Sequence, residues 1–429
     1  MGESPERNEN PELKLRGWHD PAIVGLALMA LCSGFGQFGA VAALGDVAKS
    51  FGRVGAGGAS IQQAGLSATA LGVGLAVLRL ASIGGLPLSG LADRVGRRTM
   101  LIGTCVIGLA FTVVAAASPG YWWFVVIFAF GRPLLSATNA LAQVGAAEET
   151  ASHDRAKAVS LVAAGYGVGS GLTAVIHGLA KSTLGFRGLF VLAVVPLASV
   201  FFIRRWLVES HRFTVAQSGG DHAVPVFGAV GPAFRRRLLV VTGLVFAVSV
   251  ITGPANSFIF VYAQNVVGLS GAVTAAMVAV AGPVGFVGLL GGRWLADHVG
   301  RRPTGAASMV AMGLSGVLTY SGSRVFLLIG YELGVLAAST FAPAAGTFAN
   351  ELFPTSVRAS VAGWNIAASV VGAVAGLIVF GTVAQVGTRF DGLRAAMITF
   401  IPILAVGLLF LMLPETKGRE PEDLWSSGH

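Results

Sequence analysis

The sequence predicts an all-α membrane protein: twelve transmembrane helices arranged as two pseudo-symmetric six-helix halves. Three observations carry that prediction. The 429 residues are 54% hydrophobic and only 11% charged, whereas an ordinary soluble domain carries about 25% charged residues. Apolar stretches long enough to cross ~30 Å of hydrocarbon, about 20 residues each, recur along the chain. An eight-residue segment also returns once, at the corresponding place in each half.

The elements follow in order. Residues 1–17 form a polar tail with no apolar run of the kind a secretory signal needs. The first half, residues 18–207, has predicted spans at 21–45, 62–89, 100–118, 121–147, 157–180 and 188–207. A polar central loop follows at 208–237. The second half, 238–413, has spans at 238–263, 271–291, 304–321, 324–349, 358–386 and 394–413, and 414–429 form a second polar tail. The spans at 121–147 and 324–349 are long enough to tilt.

Lys and Arg give the chain a direction. Of 29 basic residues, 20 fall in the tails and loops on one side and seven on the other, with Arg79 and Arg132 inside spans. Basic residues concentrate on the cytoplasmic side of a membrane protein, so both tails and the central loop are expected there. The net charge of +9, which on a soluble chain would suggest nucleic acid, is read here as orientation. Cys32 and Cys105 both lie in apolar runs and supply no disulfide framework.

The repeat joins the halves. Leu91-Ala92-Asp93-Arg94-Val95-Gly96-Arg97-Arg98 returns as Leu295-Ala296-Asp297-His298-Val299-Gly300-Arg301-Arg302, seven of eight positions matching at an offset of 204 residues. Both copies follow the second span of their half. Parallel repeats related by an axis along the membrane normal are a transporter architecture.

These residues are also where the chain resembles a known family. Gly90 to Arg98 resembles the signature loop of the major facilitator superfamily. Glu351 to Arg358, and Pro414 to Glu420, resemble motifs of its sugar porter and metabolite:proton symporter branches. The resemblance implies the major facilitator fold and an inner gate, a charge network that holds the halves together when the cavity faces outward. It assigns that role to Asp93, Arg97, Asp297 and Arg301, with Gly90, Arg98, Glu148 or Glu149, Arg155, Glu351 and Arg358 completing the network. By their own chemistry, Gly90 and Gly96 permit close helix approach and a tight turn, and Arg97 and Arg98 can bond carboxylates or helix C-terminal carbonyls.

A charge deep in a span costs at least ~2.5–3.5 kcal/mol, so it faces a cavity or a partner. Three residues qualify. Arg79 lies ~16 Å above the loop at Gly90 by helical rise, Arg132 a similar depth from the opposite surface, and Glu332 ~12 Å in. Ser136, Asn139 and Gln143 follow Arg132 on one helix face, a polar stripe suited to lining a cavity. In sugar porters an Arg on span four pairs with an Asp on span one. Here span one has Gln37 at its centre and no acid, while Asp46 sits near its end.

Weaker signals lie elsewhere. Span seven carries Ser249, Thr252 and Asn256 on one face, then Phe258, Phe260 and Tyr262, and Gly253-Pro254 predict a break in its helix. Trp364 and Asn365 open span eleven, with Ser369 on the Asn face. Gly165, Gly169 and Thr173 form a small-residue face read as packing, and His177 reads as an interfacial residue. Pro283 and Pro343 mark compliant helices for rocking of one half against the other.

The sequence has no nucleotide loop, metal-ligand cluster or nucleophile–base pair, so no enzyme, cofactor or metal centre is expected. The reading is a secondary active transporter in the cytoplasmic membrane, powered by an ion gradient. Two buried arginines against one glutamate favour an organic acid or related polar metabolite. The substrate set is Arg79, Arg132, Gln37, Asn139, Asn256, Tyr262 and Asn365, with Glu332 as proton carrier. Expected partners are the small-molecule substrate, protons and the lipid bilayer, and not nucleic acid. A neutral-sugar porter and a proton-driven drug exporter are the alternatives.

Overall fold

The computed structural model describes residues 16–52, 65–150, 154–208, 231–387 and 389–417. Ten helices among them are long and apolar enough to cross a membrane. Spans one to six are Pro21–Ala42, Ala68–Ala92, Arg97–Ala115, Tyr121–Glu149, Lys157–Ala180 and Thr183–Ile203. Spans seven, eight, ten and eleven are Phe234–Val266, Gly271–His298, Arg324–Gly346 and Ser360–Val383. Arg301–Thr319, diluted by arginine, serine and glycine, stands in the place of span nine, and the shorter Gly392–Gly407 in that of span twelve. Helices suit these residues because hydrocarbon offers no partner to a backbone N–H or C=O, and a helix pairs nearly all of them internally.

Local chemistry sets the ends. Asp20 caps span one by accepting from the Ala22 N–H at 2.8 Å, and Ser67, Ser270 and Asp391 cap spans two, eight and twelve. Span one continues after Ala43 into a short helix, Leu44–Phe51. Spans five and six run into each other at Gly185, whose φ of 55° only glycine adopts readily. The repeat is conformational as well as textual: Gly96 has φ 109° and Gly300 φ 124°, each starting the third span of its half. Gly90, by contrast, makes no close helix approach, since a β-carbon there would meet no atom within 4 Å.

The predicted break in span seven does not occur. Pro232–Val261 is one helix with Pro254 inside it, and the irregularity falls later, in a π-turn at Tyr262–Val266. The proline leaves the Val250 carbonyl without its usual N–H, and that carbonyl lies against span eleven at Gly376; one turn on, the Pro254 and Ala255 carbonyls accept from the Tyr320 hydroxyl, which ties this stretch to span nine. A proline in a membrane helix persists where packing re-satisfies the freed backbone.

Each half is knit by glycine contacts of the same design. A β-carbon at Gly165 or Gly169 of span five would sit 2.3 or 2.0 Å from the Ala27 or Leu31 carbonyl of span one. Span eleven repeats this against span seven, where a β-carbon at Gly372 or Gly376 would sit 2.3 Å from the Phe246 or Val250 carbonyl. The small-residue face of span five is therefore packing. Thr173 adds to it, its hydroxyl donating to the Phe35 carbonyl at 3.2 Å.

The chain ends mark one side of the bundle. Arg16 bonds Glu149 at the end of span four, and Glu415 bonds the start of span nine. We call this the tail side and its opposite the far side. The halves close on each other at the far side, along two glycine seams. Gly72 of span two meets Leu377 and Gly381 of span eleven, and Gly178 of span five meets Gly271 of span eight, backbone against backbone. The Phe38 and Phe260 rings add an edge-on contact between spans one and seven at 5.7 Å.

Candidate functional site

The glycine seams leave room between the halves at mid-bundle. A cavity of about 240 Å³ is lined by Gln37 and Phe38 of span one, Arg79 of span two, Arg132 of span four, Tyr166 and Ser170 of span five, and Asn256 and Ser257 of span seven. Both halves contribute, so the cavity changes when they move. Its polar residues include two arginines and no carboxylate.

Hydrogen bonds fix Arg132. Its Nη1 donates to the Gln37 carbonyl at 2.8 Å and its Nε to the Ser82 hydroxyl at 3.4 Å. Gln37 is itself held: its Nε2 donates to Ser33 Oγ at 2.8 Å, and Ser33 donates to the Leu135 carbonyl at 2.7 Å. Ser136, one turn after Arg132, donates to Gln37 Oε1 at 3.4 Å. All these acceptors are neutral, so the arginine is oriented while its charge stays uncompensated by the residues that hold it. Arg79 makes no hydrogen bond or ion pair among the described residues. Two guanidinium groups thus line one cavity, and a guanidinium can match a carboxylate through two parallel N–H···O bonds.

The remaining predicted residues are dispersed. Asn256, exposed to the cavity, also lines a second space of about 150 Å³ with Thr252, Ser315, Thr319, Tyr331 and Ser339. Asn139 and Asn365 lie outside the lining of both cavities, each with a buried Oδ1 that has no hydrogen-bond partner. Glu332 is also outside both, and its Oε2 is buried without a hydrogen-bond partner. Tyr262 is placed elsewhere: it is 2% exposed, its hydroxyl donates to the Tyr320 carbonyl at 2.9 Å, and its ring packs on Tyr320 at 4.7 Å. The far-side π-turn carries it into an aromatic cluster with Phe390.

On the tail side, Arg97 pairs with Glu148 across spans three and four, and Arg98 donates to the Arg204 carbonyl at 3.1 Å. Glu149 pairs with Arg16 at 3.5 Å. In the second half the Glu415 carboxylate of the tail accepts from the Arg301 and Arg302 backbone N–H groups at 3.0 and 3.1 Å. Asp297 is exposed. The side chains of Asp93, Arg155, Glu351 and Arg358 lie outside the described residues.

Sequence reasoning missed Tyr166, Ser170 and Ser257 of the cavity wall and Ser82, which accepts from Arg132. Tyr166 adjoins Gly165, and the glycine face that packs span five on span one is what turns the tyrosine toward Arg132. It also missed that Asp46 and His177, separated by 131 residues, bond at 2.8 Å.

A polar cavity between two related six-helix halves defines a membrane transporter. The chain belongs to the Major Facilitator Superfamily, which it matches over residues 26–298 and 283–427. It is 26% identical to a probable 4-methylmuconolactone transporter of Cupriavidus pinatubonensis over 84% of this chain and 85% of that one. It is 25% identical to the niacin transporter NiaP of Acinetobacter baylyi over 80% and 84% of the two chains. In fold it is similar to the inward-open conformation of the xylose transporter XylE from E. coli, at TM-score 0.72 and 18% identity, covering 94% and 98% of the two chains. The protein is thus a multi-pass membrane transporter and not an enzyme.

Proposed function

We propose that this transporter imports a small organic acid by alternating access, in symport with protons, with both tails in the cytoplasm. The observation that carries the substrate class is the pair Arg79 and Arg132 beside a cavity whose lining contains no carboxylate. Where sugar porters place an Asp against the span-four Arg, this chain has Gln37, which orients Arg132 and leaves its charge for the ligand. Relatives described as transporters of niacin and of 4-methylmuconolactone agree with a small acid-derived solute. The tail side carries most of the Lys and Arg, which makes it cytoplasmic. The far-side seams then correspond to an outside-closed, inward-facing state.

Glu332 is the proposed proton carrier. Its Oε2, buried and without a hydrogen-bond partner among the described residues, suits a group that gains and loses a proton during the cycle. A neutral-sugar cargo is favoured by one observation, the hydroxyl-rich second space around Ser315, Thr319, Tyr331 and Ser339. One experiment separates the two: uptake into proteoliposomes of carboxylates and of uncharged sugars, with and without an inward proton gradient. Gradient-dependent carboxylate uptake that falls ~10–100-fold in Arg132→Ala, as expected from losing a charge-assisted bond of ~1.5–3 kcal/mol, supports the organic-acid reading. Sugar uptake indifferent to Arg132→Ala overturns it. Unchanged gradient-driven accumulation in Glu332→Gln removes Glu332 as the carrier.

A further inference from the structure

The repeat relates Arg132 to a position in the second half where the chemistry differs. In each half two glycines of one span press on two carbonyls of its neighbour, Gly165 and Gly169 on Ala27 and Leu31, Gly372 and Gly376 on Phe246 and Val250. Gln37 lies six residues past Leu31, and Asn256 six residues past Val250. Span four places Arg132 eleven residues after its first helical residue, Tyr121, and span ten places Val335 eleven after Arg324. Gln37 and Arg132 therefore correspond to Asn256 and Val335. In the first half the guanidinium fills the space between the two helices and bonds Gln37. In the second, Asn256 and Val335 line the cavity of about 150 Å³ among spans seven, nine and ten, where Gly334 and Ala338 add almost no side-chain volume.

This cavity is polar without being charged: among the described residues no Asp, Glu, Lys, Arg or His lines it. The Ser315 and Thr319 hydroxyls donate within their own helix, to the Met312 and Ser315 carbonyls at 2.9 and 2.7 Å, so they meet a ligand only as acceptors. Asn256 Nδ2 is likewise taken by the Thr252 carbonyl at 3.0 Å, which leaves Oδ1 as an acceptor. The hydroxyls of Thr252, Tyr331 and Ser339 make no hydrogen bond among the described residues. A wall of acceptors with a few free hydroxyl donors suits a group that both donates and accepts. A hydroxyl does both; a carbonyl, an ether or a second carboxylate only accepts.

The two cavities meet at Asn256, whose exposed side chain lines both. Neither alone reaches the ~300 Å³ at which small-molecule sites begin, and the two together do. We propose that they hold one substrate, a hydroxylated carboxylate. Its acid end lies at Arg79 and Arg132 in the first half, and its hydroxyl-bearing end enters the second cavity against Tyr331, Ser339 and Thr252. The inference rests on the organic-acid reading and narrows it. The hydroxyl-rich space then serves the far end of the acid itself and needs no neutral sugar to explain it.

The test measures binding to the full chain in lipid nanodiscs by calorimetry. The probes are straight-chain carboxylates of three to six carbons, each paired with its terminally hydroxylated counterpart, such as butyrate with 4-hydroxybutyrate. For at least one length the hydroxyl should tighten binding ~3–10-fold, the range one neutral hydrogen bond supplies. Tyr331→Phe should bring that ratio to about one, and Ser339→Ala should lower it. The ratio is the readout because general damage to the fold weakens both members of a pair. Arg132→Ala should weaken both alike and keep the ratio. A wild-type ratio of one or below at every length, or a wild-type ratio kept in both Tyr331→Phe and Ser339→Ala, overturns the proposal. If no carboxylate binds while 1,4-butanediol binds ~3–10-fold more tightly than 1-butanol, the organic-acid reading falls and the hydroxyl subsite stands.

Discussion

The two halves share a frame and divide the chemistry. Spans one and five meet through Gly165 and Gly169, and spans seven and eleven through Gly372 and Gly376, all four glycines set against carbonyls. The loops at Gly96 and Gly300 turn with the same left-handed backbone. The cavity is unequal: the first half supplies Arg79, Arg132 and Gln37, the second Asn256 and Ser257. On the tail side, Arg97 pairs with Glu148 in the first half, and the Glu415 carboxylate meets the start of span nine in the second. Symmetry is kept where backbones must touch and given up in the side chains that line the cavity.

The largest effects should come from the shared frame. Gly169→Val and Gly376→Val each force a β-carbon to within 2.0–2.3 Å of a carbonyl, and overpacking costs ~1–3 kcal/mol or more. Both should lose most folded protein in a fluorescence-detected gel-filtration assay after mild heating. A large loss in one and none in the other would break the equivalence of the halves. Next comes the asymmetric chemistry. Gln37→Asp supplies the missing carboxylate beside Arg132 and should weaken carboxylate binding ~10–100-fold, the worth of about 1.5–3 kcal/mol for a bond to a charged group. Unchanged affinity in a direct binding measurement would show that the ligand does not use Arg132.

The tail-side difference is smaller. Glu415→Gln removes a carboxylate from the N-terminus of span nine, worth ~0.3–1 kcal/mol for the helix dipole, and should lower the melting temperature by a few degrees. Arg97→Gln should produce a shift of similar size through the other half, and no shift in either variant would make the anchors dispensable. Least affected should be transport in Tyr262→Phe: loss of its bond to the Tyr320 carbonyl costs about 1 kcal/mol of stability, with substrate KM unchanged. A raised KM would return Tyr262 to the substrate site.

Much of this was legible in the chain. Repeat, span positions, the buried arginines and the packing face of span five all follow from local periodicity, which a helix converts directly into a face. Gly253-Pro254 misled because a proline breaks a membrane helix only where packing lets it, and here close contact with spans nine and eleven keeps the helix continuous. Tyr166 was hidden because an aromatic residue in an apolar helix looks the same whether it faces lipid or a cavity.

The sequence by itself determined the solvent, the two-fold repeat and the intramembrane charges. Those are properties of composition and of single helices. Only the tertiary structure decided that Arg132 hangs from neutral partners, that Tyr262 serves an aromatic cluster, and that Asp46 meets His177 at the seam. Each depends on the rotation of one helix against another, which is set by backbone contacts at a few glycines far apart in the chain.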